Sequence, residues 1–318
     1  MSRSEVTSSQ EPVGALSADF PDTGELDWRD YFELTKPKVV SLIVFTAVVG
    51  MFLATPGMVP LDALVFGTIG IGLSAASGAA FNHVIDQRID AIMARTASRP
   101  LATGSLDRKG AILFASTLTV ASVVLLWFMV NPLTAVLSFA SMVGYSVVYT
   151  VWLKRATPQN IVIGGAAGAM PPVLGWTAVT GDIHPHALLL FLIVFVWTPP
   201  HFWALAIHRY RDYARAEIPM LPVTHGLPYT RLQVLLYTAL LMIVSLLPFI
   251  THMSGWIYLV SAVALGIAFL AYAWRLYVRE DDERLPMRTF AYSIWYLAGI
   301  FTALLVDHYA LPGVALPT

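Results

Sequence analysis

The sequence predicts an all-α membrane protein with nine transmembrane helices and a cytoplasmic N-terminus. Three observations predict it. The 318 residues are 57% hydrophobic and 12% charged, with a mean hydropathy of +0.68. A soluble core of this length needs more charge on its surface. Apolar runs of roughly 18–22 residues recur nine times, each long enough to cross the hydrocarbon layer. Finally, all nineteen Lys and Arg residues fall in the N-terminal segment and in alternate connections, and the intervening connections carry none. That alternation is independent of where the span ends are drawn. It places the cation-bearing side, with the N-terminus, in the cytoplasm.

The elements follow in order. Residues 1–27 are polar and acidic and lack an apolar stretch, so they read as a disordered cytoplasmic tail rather than a signal peptide. Residues 28–38 mix aromatic and charged side chains and belong at the interface. The spans run over residues 38–55, 61–82, 110–130, 133–153, 161–180, 186–207, 232–250, 255–274 and 289–309. Asn131 and Pro132 alone separate the third from the fourth, a tight hairpin. Residues 28–310 form one nine-helix domain, and 311–318 form a C-terminal tail. Connections on the uncharged side are short. Those over 83–109 and 208–231 are longer and lie on the charged side, where the chemistry is expected.

Composition also excludes. A net charge of −1 argues against a nucleic-acid partner. The absence of cysteine removes disulfides, thiolate metal sites and a cysteine nucleophile.

The first long connection opens with Asn82, Asp86 and Asp90, four residues apart. On a helix that spacing puts all three on one face, over roughly 12 Å. Carboxylates at the end of a membrane helix are well placed to hold Mg2+, with Asn82 as a neutral ligand. Arg95 and Arg99 follow and suit diphosphate oxygens. The plainer alternative is solvation of a helix end with salt bridges to arginine.

The second connection repeats acid among arginines. Asp212 and Glu217 could carry a second Mg2+, with Arg209 and Arg211 on the diphosphate, although a spacing of five shares a helix face less well than four. A solvated loop is the competing reading. Lys154 and Arg155, ending span four, serve either as a positive-inside anchor or as further diphosphate contacts. Small residues at 164–169 permit close helix packing. His201, beside Trp203 inside span six, bonds a neighbouring helix, ligates haem iron or carries a proton.

These strings carry a resemblance. Residues 31–37, 82–90, 95–101, 154–160, 164–172 and 212–222 resemble the intramembrane prenyltransferase superfamily typified by 4-hydroxybenzoate polyprenyltransferase. Within it they are similar to the branch that farnesylates haem. The resemblance runs from about Tyr31 to near the C-terminus. It implies nine helices around a central, lipid-accessible cavity in the bacterial inner membrane, with the active site facing the cytoplasm. It implies farnesyl diphosphate as donor, haem b as acceptor, Mg2+ as cofactor, haem O as product and haem A synthase as a partner. One departure stands out: the superfamily's second motif commonly has acids four apart, and here Asp212 is followed by Ala216, with Glu217 beyond. The rival functions are prenyl transfer to a quinone precursor or chlorin, and haem transport without chemistry. A transporter would keep an ionisable group near the bilayer midplane, whereas these acids cluster at one face.

Overall fold

The computed structural model describes residues 28–93 and 96–310; the expected tails, 1–27 and 311–318, and Arg95 lie outside them. Every regular element among the described residues is helical. Helix α1 (Trp28–Leu34) meets α2 (Pro37–Leu53) at a 51° bend. Then come α3 (Leu61–Asp90), the short α4 (Pro100–Thr103) and α5 (Arg108–Met129). Span four is composite: α6 (Pro132–Val143), a π-helical stretch (Gly144–Leu153) and α7 (Lys154–Ala156). Span five divides into α8 (Asn160–Ala169) and α9 (Pro171–Thr180). Next are α10 (Pro185–His208), α11 (Tyr210–Arg215), α12 (Leu221–His225), α13 (Leu227–Val244) and α14 (Leu247–Ile250). Helices α15 (Trp256–Val278) and α16 (Leu285–Ala310) complete the chain. Among the described residues eight helical segments are long and apolar enough to cross a bilayer, and the bent α1–α2 pair makes a ninth.

Local chemistry explains the starts and stops. The Asp107 carboxylate accepts from the N–H groups of Lys109 and Gly110, at 3.1 and 3.2 Å, and so caps α5. Asn131 accepts from Thr134 N–H at 2.9 Å while Pro132 occupies the first turn of α6, which is how a two-residue hairpin turns the chain around. Gly181, at φ +71°, ends α9 in the left-handed region.

Consecutive spans pack side by side, and α16 returns to α2, so the helices close into a ring. Large apolar side chains cover the outside as well as filling the core, and small or polar ones sit at the helix contacts. Phe128 and Trp295 are about three-quarters exposed. Inside, Ser122 Oγ donates to the Gly70 carbonyl at 2.7 Å and Thr134 Oγ1 to Thr177 Oγ1 at 2.9 Å. Helices α2 and α9 approach so closely that a Cβ on Gly175 would stand 1.8 Å from the Ala47 carbonyl oxygen, and one on Gly50 would stand 2.3 Å from that of Pro172.

On the charged side the helices run beyond the expected span limits. Helix α3 runs eight residues beyond 82, through the acidic triplet. Helices α13 and α16 begin before 232 and 289. Apolar composition stops at the first charge, whereas a helix continues as long as its charges find partners.

Candidate active site

The site forms where the end of α3 meets the start of α2 and the end of span four. Continuing the α3 helix to Asp90 puts Asn82, Asp86 and Asp90 on one face, and all three are at least 95% buried. Buried carboxylates require partners. Asp86 Oδ2 accepts from Asn82 Nδ2 at 2.9 Å and from the Lys154 ammonium at 2.6 Å. Asp90 Oδ2 accepts from Arg99 at 2.6 Å. Thr96 Oγ1 donates to the Asp90 carbonyl at 3.1 Å, tying back the turn that carries Arg99. Both carboxylates are therefore neutralised by cations from other parts of the chain.

Two further residues join. Lys36 donates to Asn82 Oδ1 at 2.6 Å, and Asn82 Nδ2 also donates to Thr150 Oγ1 at 3.2 Å. Lys36 sits at φ +50°, in the left-handed region, immediately before Pro37. That conformation costs a lysine about 1–2 kcal/mol. Thr150 lies in the π-helical stretch, whose wider turns carry Lys154 round toward α3. Inserted turns of this kind concentrate at functional sites. Reading the sequence for acids and arginines misses both residues. Lys36 does leave a signal: a cation at a helix N-terminus opposes the helix dipole, so its presence there points to an acceptor. Thr150 leaves none.

One atom is left over. Asp86 Oδ1 is buried and without a hydrogen-bond partner. An unpartnered carboxylate oxygen, in a set of hard oxygen donors from Asn82, Asp86 and Asp90, fits Mg2+. Among the described residues no three acidic or histidine side chains are already gathered closely enough to hold a metal ion. Lys154 and Arg99 hold the places beside the carboxylates.

The second acidic segment packs against the first. Met93, just beyond the triplet, shares an apolar cluster with Tyr213, Ile218 and Met220, and Ile89 lies against it. Tyr149, on the π-helical stretch, stands within electrostatic reach of both Asp86 and Tyr213. Asp212 is paired with Arg209 at 3.7 Å. Glu217 follows α11 at φ +54° and is exposed, as are Arg155 and Arg211. The triplet, Lys154 and Arg99 are thus brought into direct contact, and Asp212 and Arg209 lie in the adjoining segment.

His201 is buried and bonds a neighbouring helix. Its Nδ1 lies 2.6 Å from Ser293 Oγ on α16. Its ring is stacked between Trp197, at 4.2 Å, and Phe290, at 4.5 Å. Ser293 Oγ also lies 2.6 Å from the Phe290 carbonyl, so the serine hydroxyl links His201 to the α16 backbone. Trp203 is fully buried on another face of α10, edge-on to Tyr237 at 5.2 Å. Residues two apart on a helix do not share a face, so His201 and Trp203 do not address one ligand together.

Known proteins share this sequence and fold. The profile of the UbiA prenyltransferase family matches residues 43–298. A protoheme IX farnesyltransferase of Thioalkalivibrio sulfidiphilus is 63% identical over 282 residues, covering 89% of this chain and 93% of that protein. The protein of that name from Nitrosococcus oceani is 60% identical over 283 residues, covering 89% and 94%. In three dimensions the chain is similar to a digeranylgeranylglyceryl phosphate synthase, with a TM-score of 0.74 at 19% identity, covering 89% of this chain and 99% of that one. It is also similar to a UbiA homolog from Archaeoglobus fulgidus bound to DMAPP and Mg2+, with a TM-score of 0.62 at 18% identity, covering 86% and 99%. These structures share the fold, and the family match spans most of the sequence. The chain belongs to the UbiA prenyltransferase family.

Proposed function

We infer that the chain transfers the farnesyl group of farnesyl diphosphate to a vinyl group of haem b, giving haem O. The observation that carries this reading is identity of 58–63% across about nine-tenths of the chain to relatives named protoheme IX farnesyltransferase.

The residues divide the work. Asp86 and Asp90, with Asn82 as neutral ligand, would hold Mg2+, and Asp212 with Glu217 would hold a second ion. The metal supplies positive charge against the diphosphate. Lys154 and Arg99 already lie on the carboxylates, so any phosphate oxygen brought there meets them as donors. Arg95, Arg155, Arg209 and Arg211 supply the remaining cationic charge. With that charge neutralised, the allylic C–O bond breaks and its electron pair leaves with pyrophosphate. The apolar spans keep bulk water from the farnesyl cation. The haem vinyl π-electrons then form the new C–C bond. Water captures the resulting cation beside the porphyrin and loses a proton, giving the alcohol. No step demands a dedicated general base. His201, on α10, would help to hold haem, and Trp203, on the other face of that helix, packs on Tyr237 instead.

The acidic end faces the cytoplasm of the cell inner membrane, where diphosphate and Mg2+ are available, and haem O passes to haem A synthase. Pigment extracted from membranes expressing the chain tests the reading. Haem O appears when farnesyl diphosphate and Mg2+ are supplied and not when either is withheld. A prenylated quinone or chlorin, or unchanged haem b throughout, would refute it.

A further inference from the structure

A cavity of about 460 Å3 opens beside the acidic triplet but is not lined by it. Its walls carry Arg29 and Glu33 from α1, Lys36 and Lys38 at the start of α2, His83 from α3, and Arg99. Among the described residues four basic side chains and one carboxylate line it. The N-terminus of the 17-residue helix α2 adds its positive dipole end. Phe32 and Val39, both more than half exposed, also line it, and aromatic, apolar and charged side chains mixed in this way suit a membrane interface. Two of the cations are shared. Lys36 also donates to Asn82, and Arg99 to Asp90. These two side chains form the partition between the cavity and the triplet.

We propose that this cavity binds a phosphate-class anion, and that its occupant is the pyrophosphate released at the triplet, which leaves past Lys36 and Arg99. The second half of this statement rests on the prenyl-transfer reading; the first half does not. The charge on each side of the partition argues for it. The triplet carries carboxylates and needs a metal before it attracts an anion. The cavity is cationic without one. An anion losing its metal neutralisation is therefore drawn outward. The same chemistry would accept an anionic lipid headgroup, and the mouth lies where one could reach it.

The test uses the full-length protein in phosphatidylcholine nanodiscs, with EDTA present and no Mg2+, titrated with inorganic pyrophosphate in a calorimeter. The expected result is one equivalent bound. Lys38→Glu and Arg29→Glu should each weaken it about tenfold or more. The milder Lys38→Ala and Arg29→Ala should weaken it less, and they guard against misfolding. Asp86→Ala should leave this binding unchanged. No binding, or binding lost in Asp86→Ala and kept in Lys38→Glu, would overturn the proposal. Repeating the titration in phosphatidylglycerol nanodiscs separates the two sources. Unchanged affinity supports pyrophosphate as occupant, and competition by the lipid assigns the cavity to headgroups and removes the exit role. None of these arms needs haem or farnesyl diphosphate, so failure of the transfer reading would show separately in the pigment assay.

Discussion

Asp86 spends its two carboxylate oxygens differently. Oδ2 takes both Asn82 and Lys154, and Oδ1 takes nothing. Leaving a buried acceptor unsatisfied costs about 1–3 kcal/mol, more for a charged group, so a fold keeps one where a ligand will claim it. Asp86→Asn keeps the shape and removes the charge. Haem O formation in membranes should fall at least about 100-fold while the amount of inserted protein stays the same. Undiminished haem O would rule out Asp86 as a metal ligand. Lys36→Met tests the partner that acids and arginines alone do not reveal. It should lower kcat/KM for farnesyl diphosphate by about 10–100-fold with little change in the affinity for haem, and an equal loss for both substrates would point to general damage instead. At this scale the sequence was half readable. The spacing of Asn82, Asp86 and Asp90 encodes one helical face directly. The ion pair from Lys154, 68 positions away from Asp86, depends on how two spans pack, and no local pattern carries that.

Helices behave here as hydropathy predicts in their middles and depart from it at their ends. Span two was expected to stop at 82, where the apolar run gives way to Asp86 and Asp90. It continues because Lys154 and Arg99 neutralise them, and those partners come from other elements. Span four hides a π-helical stretch for a related reason. Its residues, Gly144–Leu153, have ordinary apolar composition, and the altered hydrogen-bond period leaves no mark on it. Small residues are more telling. Those at 164–169 were expected to allow close contact, and a Cβ on Gly164 would come within 2.2 Å of the Tyr149 ring. The tighter crossing is at Gly175, whose neighbour is the Ala47 backbone oxygen rather than a movable side chain. Gly175→Ala should therefore separate α2 from α9 and destabilise the protein by about 1–3 kcal/mol. A fall in the melting temperature of the detergent-solubilised protein would report it. Gly168→Ala, where a Cβ meets nothing within 4 Å, is the control that should leave melting unchanged. Equal melting of both variants would mean the α2–α9 approach is looser than described.

At the scale of the whole molecule, the ring of helices was legible because two signals repeat nine times over, apolar length and the side on which cations fall. What they leave open is whether the α1–α2 pair crosses the bilayer, since α2 has only 17 residues and α1 bends away from it by 51° at residue 36. Parity makes this decisive. If the pair crosses, Gly57 and Asp182 lie on the outer side together and Ser105 lies on the cytoplasmic side. If it does not, Asp30 and Gly57 share a side. The chain contains no cysteine, so single substitutions can be labelled without background. Gly57→Cys, Asp182→Cys and Ser105→Cys all fall at exposed positions. In intact cells a membrane-impermeant maleimide should label the first two and spare the third, and after lysis it should label all three. Four spans separate Gly57 from Asp182 whichever way the α1–α2 pair lies, so a re-entrant pair would show instead as labelling of Trp28→Cys, at an exposed position on α1, together with Gly57→Cys in intact cells. Labelling of Ser105→Cys in intact cells would turn the molecule over. The acidic triplet would then face a compartment without the cytoplasm's supply of Mg2+ and isoprenyl diphosphate, and the proposed chemistry would lose its substrates before any catalytic residue was tested.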